Sequence, residues 1–227
     1  MRIQQNLILL FLITILISAI FGLNTLNIIS SPITEENSDI GRELKVSNSY
    51  HNQKRANIKI VWEVISQKEE DIKNSRNTMA KIINDFPQDV YLGLRVFGSY
   101  QHSTANYFMK VPLAQKNKQQ LLELVKQATP TLHSPTRINL IRAGESLSEQ
   151  QGKKHILLVT DGNNNEQQSL TKTIQYLKNK EIRTHILQVG DVNSTDQLYL
   201  RSLAEIGNGK YFMHSEKDSV VPTINLN

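Results

Sequence analysis

The chain has 227 residues, 39% hydrophobic and 21% charged, with 26 basic and 21 acidic side chains for a net charge of +5. That is room for one domain of ordinary size plus a leader or tail, with enough apolar material for a core, and it excludes collagen-like, low-complexity and wholly disordered chains. Cysteine is absent, so disulfides, thiolate nucleophiles, cysteine zinc sites and iron–sulfur clusters are excluded; the basic residues form no dense block, which argues against a nucleic-acid partner.

The first element is a leader. Leu7 to Leu23 reads LILLFLITILISAIFGL, uncharged, with only Thr14 and Ser18 polar. This approaches the ~20 residues a membrane-spanning helix needs and exceeds the ~7–15 residues of a signal-peptide core. Ala19-Ile20-Phe21-Gly22 offers no small-x-small cleavage site. The reading is an uncleaved anchor at residues 1–29, with a signal peptide and secretion as the alternative. Arg2 precedes the span and Glu35, Glu36 and Asp39 follow it, which places the N-terminus in the cytoplasm and the rest outside a cell membrane. Residues 30–57 are polar and patternless and read as a flexible linker. The folded domain is expected over 58–227.

Within that domain the periodicity alternates. Ile58-Lys59-Ile60-Val61-Trp62-Glu63-Val64 reads as a strand. Asp71 to Phe86 places Ile72, Met79, Ile82, Ile83 and Phe86 at helical spacing, and Pro87 marks the exit. Val90 to Phe97 is a second strand, and Asn106 to Val111 alternates like a half-exposed edge strand. Short helices follow around Leu121 to Val125 and Leu140 to Leu147. His155 to Thr160 is an apolar strand ending in Asp161-Gly162. A helix carries Ile174, Tyr176 and Leu177, and Ile182 to Val189 is a strand stopped by Gly190-Asp191. Leu198 to Ile206 is helical, and Lys210 to Met213 is the last strand. Strands alternating with helices predict a mostly parallel sheet covered on both faces.

In such a sheet ligands sit at the carboxyl ends of the strands. No G-x-G-x-x-G, phosphate loop or G-x-S-x-G is present there. The six histidines are scattered and read as satisfied structural residues, with His155 and His185 neighbours if their strands pair. Oxygen chemistry remains. Glu63 ends the first strand, Asp161 ends a buried one, and Thr136 opens a helix between them. Two carboxylates and a hydroxyl suit a hard divalent ion, and the same residue types serve equally as caps and turn formers.

The order of pieces resembles the von Willebrand factor type A domain over residues 58–215. Its first strand is similar to Ile58–Val64, and its second to Leu92–Phe97 with Gly98 as the stop. Its loop threonine is matched by Thr136, its fourth strand with Asp-Gly by Ile156–Gly162, and its last helix and strand by Leu203–Phe212. The resemblance implies a Rossmann-like three-layer α/β sandwich, a mostly parallel central sheet with an antiparallel edge strand. It also implies a metal-ion-dependent adhesion site built from Asp-x-Ser-x-Ser, the loop threonine and the Asp of Asp-Gly. By position these are Glu63, Ile65, Gln67, Thr136 and Asp161. Thr136 and Asp161 are retained, Glu63 is a methylene longer, Gln67 is longer than serine, and Ile65 supplies no oxygen. Mg²⁺, which demands near-ideal octahedral geometry, tolerates such changes poorly.

The resulting expectation is a non-enzymatic protein-binding module for adhesion or complex assembly, held at a membrane surface, with a protein partner and no required cofactor. Glu63, Thr136 and Asp161 are the candidate ligands for any divalent cation such as Mg²⁺. Two alternatives are a Rossmann-like hydrolase using Glu63 and Asp161 as a carboxylate pair, and an accessory subunit whose Leu7–Leu23 helix packs against partner helices.

Overall fold

A computed structural model of the chain describes residues 56–64, 69–97, 108–128, 136–162, 167–215, 218 and 220–226, all within the compact unit Ser47–Asn227. The expected span at Leu7–Leu23 lies outside the described residues. Among those described, no helix is long and apolar enough to cross a membrane.

The elements in chain order are β1 (Ala56–Glu63), α1 (Glu69–Asp85), β2 (Tyr91–Phe97), β3 (Phe108–Ala114), α2 (Lys118–Gln127), α3 (Thr136–Ser148), β4 (Lys153–Thr160), α4 (Gln167–Asn179), β5 (Ile182–Val189), α5 (Ser194–Ile206) and β6 (Tyr211–His214). They form one six-stranded sheet in the order β3-β2-β1-β4-β5-β6. Every neighbouring pair is parallel except β2–β3, which is antiparallel and carries an irregularity between Leu92 and Leu94. The strand at Asn106–Val111 is therefore the antiparallel edge, shifted to Phe108–Ala114.

Successive side chains of a strand point to opposite faces. Ile58, Ile60 and Trp62 of β1, Val64 just after it, Leu92 and Leu94 of β2 and Leu157 of β4 pack against α1 and α2 through Met79, Ile82, Ile83, Leu121 and Val125. Val61, Ile156, Leu158 and Ile186 face the other way, onto α3, α4 and α5 through Leu140, Leu147, Ile174, Leu177 and Leu203. This is the expected three-layer sandwich, with β1 and β4 at its centre. Tyr176 lies on α4, as expected, and is half exposed there. The 220–226 segment adds Val221, Ile224 and Leu226 to the first face, and Asn225 receives a hydrogen bond from Lys210 Nζ at 3.0 Å.

Apart from Val61, the second face of β1 carries polar yet buried side chains, Asn57, Lys59 and Glu63. Asn57 Nδ2 donates to Gln151 O at 2.8 Å. This contact draws β1 back to Ala56, two residues into the stretch read as linker. Lys59 Nζ donates to Val111 O at 2.9 Å on the edge strand. It fits only because residue 93 is glycine: a Cβ there would sit 2.7 Å from the ammonium. Burial, and then the charges of Arg95 and Lys110, lower Lys59 to about 8. Arg95 reaches Asn139 Oδ1 at 3.2 Å.

His155 on β4 and His185 on β5 are buried neighbours, with Nδ1 of the first 3.0 Å from Nε2 of the second. The Lys210 backbone N–H donates to His185 Nδ1 at 3.1 Å. His185 thus carries its proton on Nε2 and donates it to His155 Nδ1, which places the proton of His155 on its own Nε2.

Between α5 and β6 the chain passes very close to β5. A Cβ on Gly209 would lie 1.9 Å from the carbonyl oxygen of Thr184, whereas one on Gly190 (φ +83) meets nothing within 4 Å. Gly209→Ala is expected to cost about 2 kcal/mol through forced backbone displacement. Gly190→Ala should cost only the left-handed penalty of about 1 kcal/mol. Urea denaturation of the two variants checks the ranking, and equal losses would contradict it.

Candidate functional site

The carboxyl ends of β1, β4 and β5 open into a cleft of about 870 Å³. Its walls come from Glu63 and Val64 after β1, Thr78 and Lys81 on α1, Asp161 after β4, and Gly190, Asp191 and Asn193 after β5. Asp196 on α5 and His214, Ser215, Asp218 and Val221 complete it. The chain places these groups for local reasons. Gly162 and Gly190 take positive φ values of +80 and +83, which turn the chain sharply out of β4 and β5. The Asn193 side chain accepts from Asp196 N–H at 2.9 Å and caps α5. Ser215 N–H donates to Asp218 Oδ2 at 2.7 Å and shapes the exit from β6.

Glu63 and Thr136 meet directly, since Thr136 Oγ1 donates to Glu63 Oε1 at 2.9 Å. The second oxygen, Oε2, accepts from Thr160 Oγ1 at 2.6 Å. Thr160 Oγ1 in turn accepts from Gly162 N–H at 3.1 Å. Glu63, Thr136 and Thr160 are all buried, at 4%, 0% and 2% exposure. Asp161 is only partly buried and faces the cleft from the adjacent strand. Of the three sequence candidates, two are thus bonded to each other and the third shares the cleft wall with Glu63.

Thr160 is the site residue that sequence reasoning missed. Trp62 pairs with Val159 in the parallel register of β1 and β4, so Glu63 and Thr160 stand in the next row on one face. Its only sequence signal is its place just before Asp161. Thr78, Lys81 and His214 on the cleft wall carried no signal at all. Residues 65–68, which include Ile65, Ser66 and Gln67, lie outside the described residues, as do residues 98–107, 129–135 and 163–166.

A hard divalent ion takes about six oxygens. Both Glu63 oxygens accept threonine hydrogens, and the Thr136 hydrogen points at the carboxylate. Residue 65 is isoleucine. Among the described residues no group of three or more His, Asp or Glu side chains is arranged to hold a metal. Among the described residues, the donors present do not by themselves complete such a shell.

The profile of the von Willebrand factor type A domain matches residues 56–213. No curated protein matches the chain. Among solved structures the chain is similar to an aerotolerance-related membrane protein from Bacteroides fragilis, at 14% identity and a TM-score of 0.58, covering 71% of this chain and 92% of that one. It is also similar to BatB, a conserved hypothetical protein from Bacteroides thetaiotaomicron, at 14% identity and 0.57 over 72% and 92%. A third similarity is to the manganese-loaded TRAP protein of Plasmodium vivax, at 18% identity and 0.58 over 72% and 69%. At these identities the likeness speaks for the fold.

Proposed function

The chain belongs to the von Willebrand factor type A domain family, and from that premise we propose that it is a non-enzymatic protein-binding module for adhesion or complex assembly. It is held at the outer surface of a membrane by the Leu7–Leu23 span. The observation that carries this reading is the cleft of about 870 Å³ at the carboxyl ends of the central strands, where sheets of this kind bind their ligands. The cleft is broad, and its walls mix polar groups with Val64, Ile72, Val189, Val192 and Val221, which suits a peptide segment or loop of a partner protein. Glu63 is committed to two threonine hydroxyls and is poorly disposed as a general base, which weakens the hydrolase alternative. The partner docks without a cation.

Asp191 and Asp196 sit on the rim, and Lys153 is exposed at the opposite end of the sheet. A partner cross-linked to the full chain in its own membrane is expected to be lost from Asp191→Arg/Asp196→Arg, kept with Lys153→Glu, and kept in EDTA. Equal capture by the rim variant would defeat the cleft reading. Loss on exchanging Leu7–Leu23 for an unrelated span, with the rim variant unaffected, would place the contact within the bilayer.

A further inference from the structure

The misfit between the site and a divalent ion has a positive side. We propose that Glu63 is a built-in replacement for the cation: its carboxylate ties the end of β1, the start of α3 and the turn after β4 together, so the cleft is assembled without any ion. The inference rests on the family reading above and not on the existence of any particular partner.

A divalent ion organises a site of this kind by drawing oxygens from separate chain segments toward one point. Here one side chain does the same. Glu63 leaves β1 and receives the Thr136 hydroxyl, the first residue of α3, on one oxygen. It receives the Thr160 hydroxyl, the last residue of β4, on the other. Thr160 passes the tie on by accepting from Gly162 N–H. That fixes the positive-φ turn on which Asp161 is mounted. Two segments, 73 and 97 residues beyond Glu63 in the sequence, are joined to β1 through one carboxylate. The longer side chain is what makes this reach possible, because aspartate would hold its oxygens one methylene further back.

The energetic comparison favours the tie. Hydrogen bonds to an ionised carboxylate are roughly twice as strong as neutral ones, and both are shielded from water. An entering ion would have to replace them while finding isoleucine at position 65, where the family supplies a serine oxygen. It would gain an incomplete shell in exchange for a complete pair of bonds. The glutamate and the isoleucine are compatible with each other: the first supplies the crosslink, and the second need not be a ligand.

The test follows the thermal unfolding of the purified full chain in mild detergent, in EDTA and then with Mg²⁺, Mn²⁺ or Ca²⁺ at about 1–10 mM, alongside calorimetric titration. A ligand that binds only the native state raises the midpoint by several degrees at ~100 times its dissociation constant. The expected result is one midpoint under all conditions and no saturable heat. A midpoint lowered by EDTA or raised by any of the ions overturns the proposal, while leaving cleft binding of a partner intact. In parallel, Glu63→Asp, which withdraws the carboxylate from the hydroxyls, is expected to lower the midpoint by about 5 °C. A Glu63→Asp chain as stable as the parent also overturns it. Neither readout involves a partner, so failure here is separable from failure to capture one.

Discussion

A chain in which Thr136 and Thr160 are both changed to valine is expected to lose about 3–5 kcal/mol of stability, far more than the loss of two hydroxyls on an exposed surface. Valine nearly matches threonine in shape, so packing changes little. What changes is that Glu63, at 4% exposure, loses the two hydroxyl donors that compensate its carboxylate. Breaking such an arrangement from one side leaves a poorly compensated charge in a medium where it is costly. The companion result distinguishes this cause from simple loss of packing. Adding Glu63→Leu to the double variant should recover a large part of the loss, because removing both halves of a buried polar contact is close to neutral. Strong non-additivity in this cycle, read by urea denaturation, is the signature. If the triple variant is weaker than the double by the full cost of Glu63→Leu alone, the three side chains are not one unit.

The second large effect is acid sensitivity. His155 and His185 form a neutral, singly protonated pair. Burial, followed by the positive charges of Arg183 and Lys153, lowers His155 to about 4. Burial, followed by His155, Lys210 and Arg183, lowers His185 to about 3. An unfolded histidine takes its proton near pH 6.5. Between that value and the folded one, the unfolded chain binds more protons than the native chain, so stability rises with pH. The pair's contribution is fully present above pH 6.5, and it drains away as pH falls toward about 4 and then about 3, with His155 alone accounting for about 3 kcal/mol. The check is the denaturation midpoint from about pH 7 down to pH 4.5 in the parent and in His155→Gln. The glutamine still offers His185 an acceptor and does not titrate, so its slope should be clearly flatter. Parallel curves would mean that other groups carry the acid response.

Much of the architecture was legible because it is written in local pattern. The strand at Ile182–Val189 is legible to the residue, and the helix opened by Thr136 and the turn at Asp161-Gly162 follow from capping and turn chemistry. The antiparallel edge was placed within a few residues, since alternation marks an edge even where its bounds blur. The glutamate's own surroundings were another matter. Glu63 and Asp161 were recognised as strand-end carboxylates, but the bond to Thr160 depends on the register between β1 and β4, and one chain alone does not reveal a parallel register. Likewise the alternation of Asn57, Lys59 and Glu63 with apolar residues is the pattern of a strand half open to water. Only the partners on α3, β3 and β4 explain how that face is closed.

Lys59 offers an internal indicator for later work. Its amine is sealed behind Gly93 and the edge strand, at 4% exposure, while its proton affinity is already weakened. Acylating reagents in footprinting experiments would meet an intrinsically good nucleophile that is sterically hidden. Labelling at that one lysine would then mark the moments when β3 peels from the sheet, a clock for edge opening that needs no engineered probe.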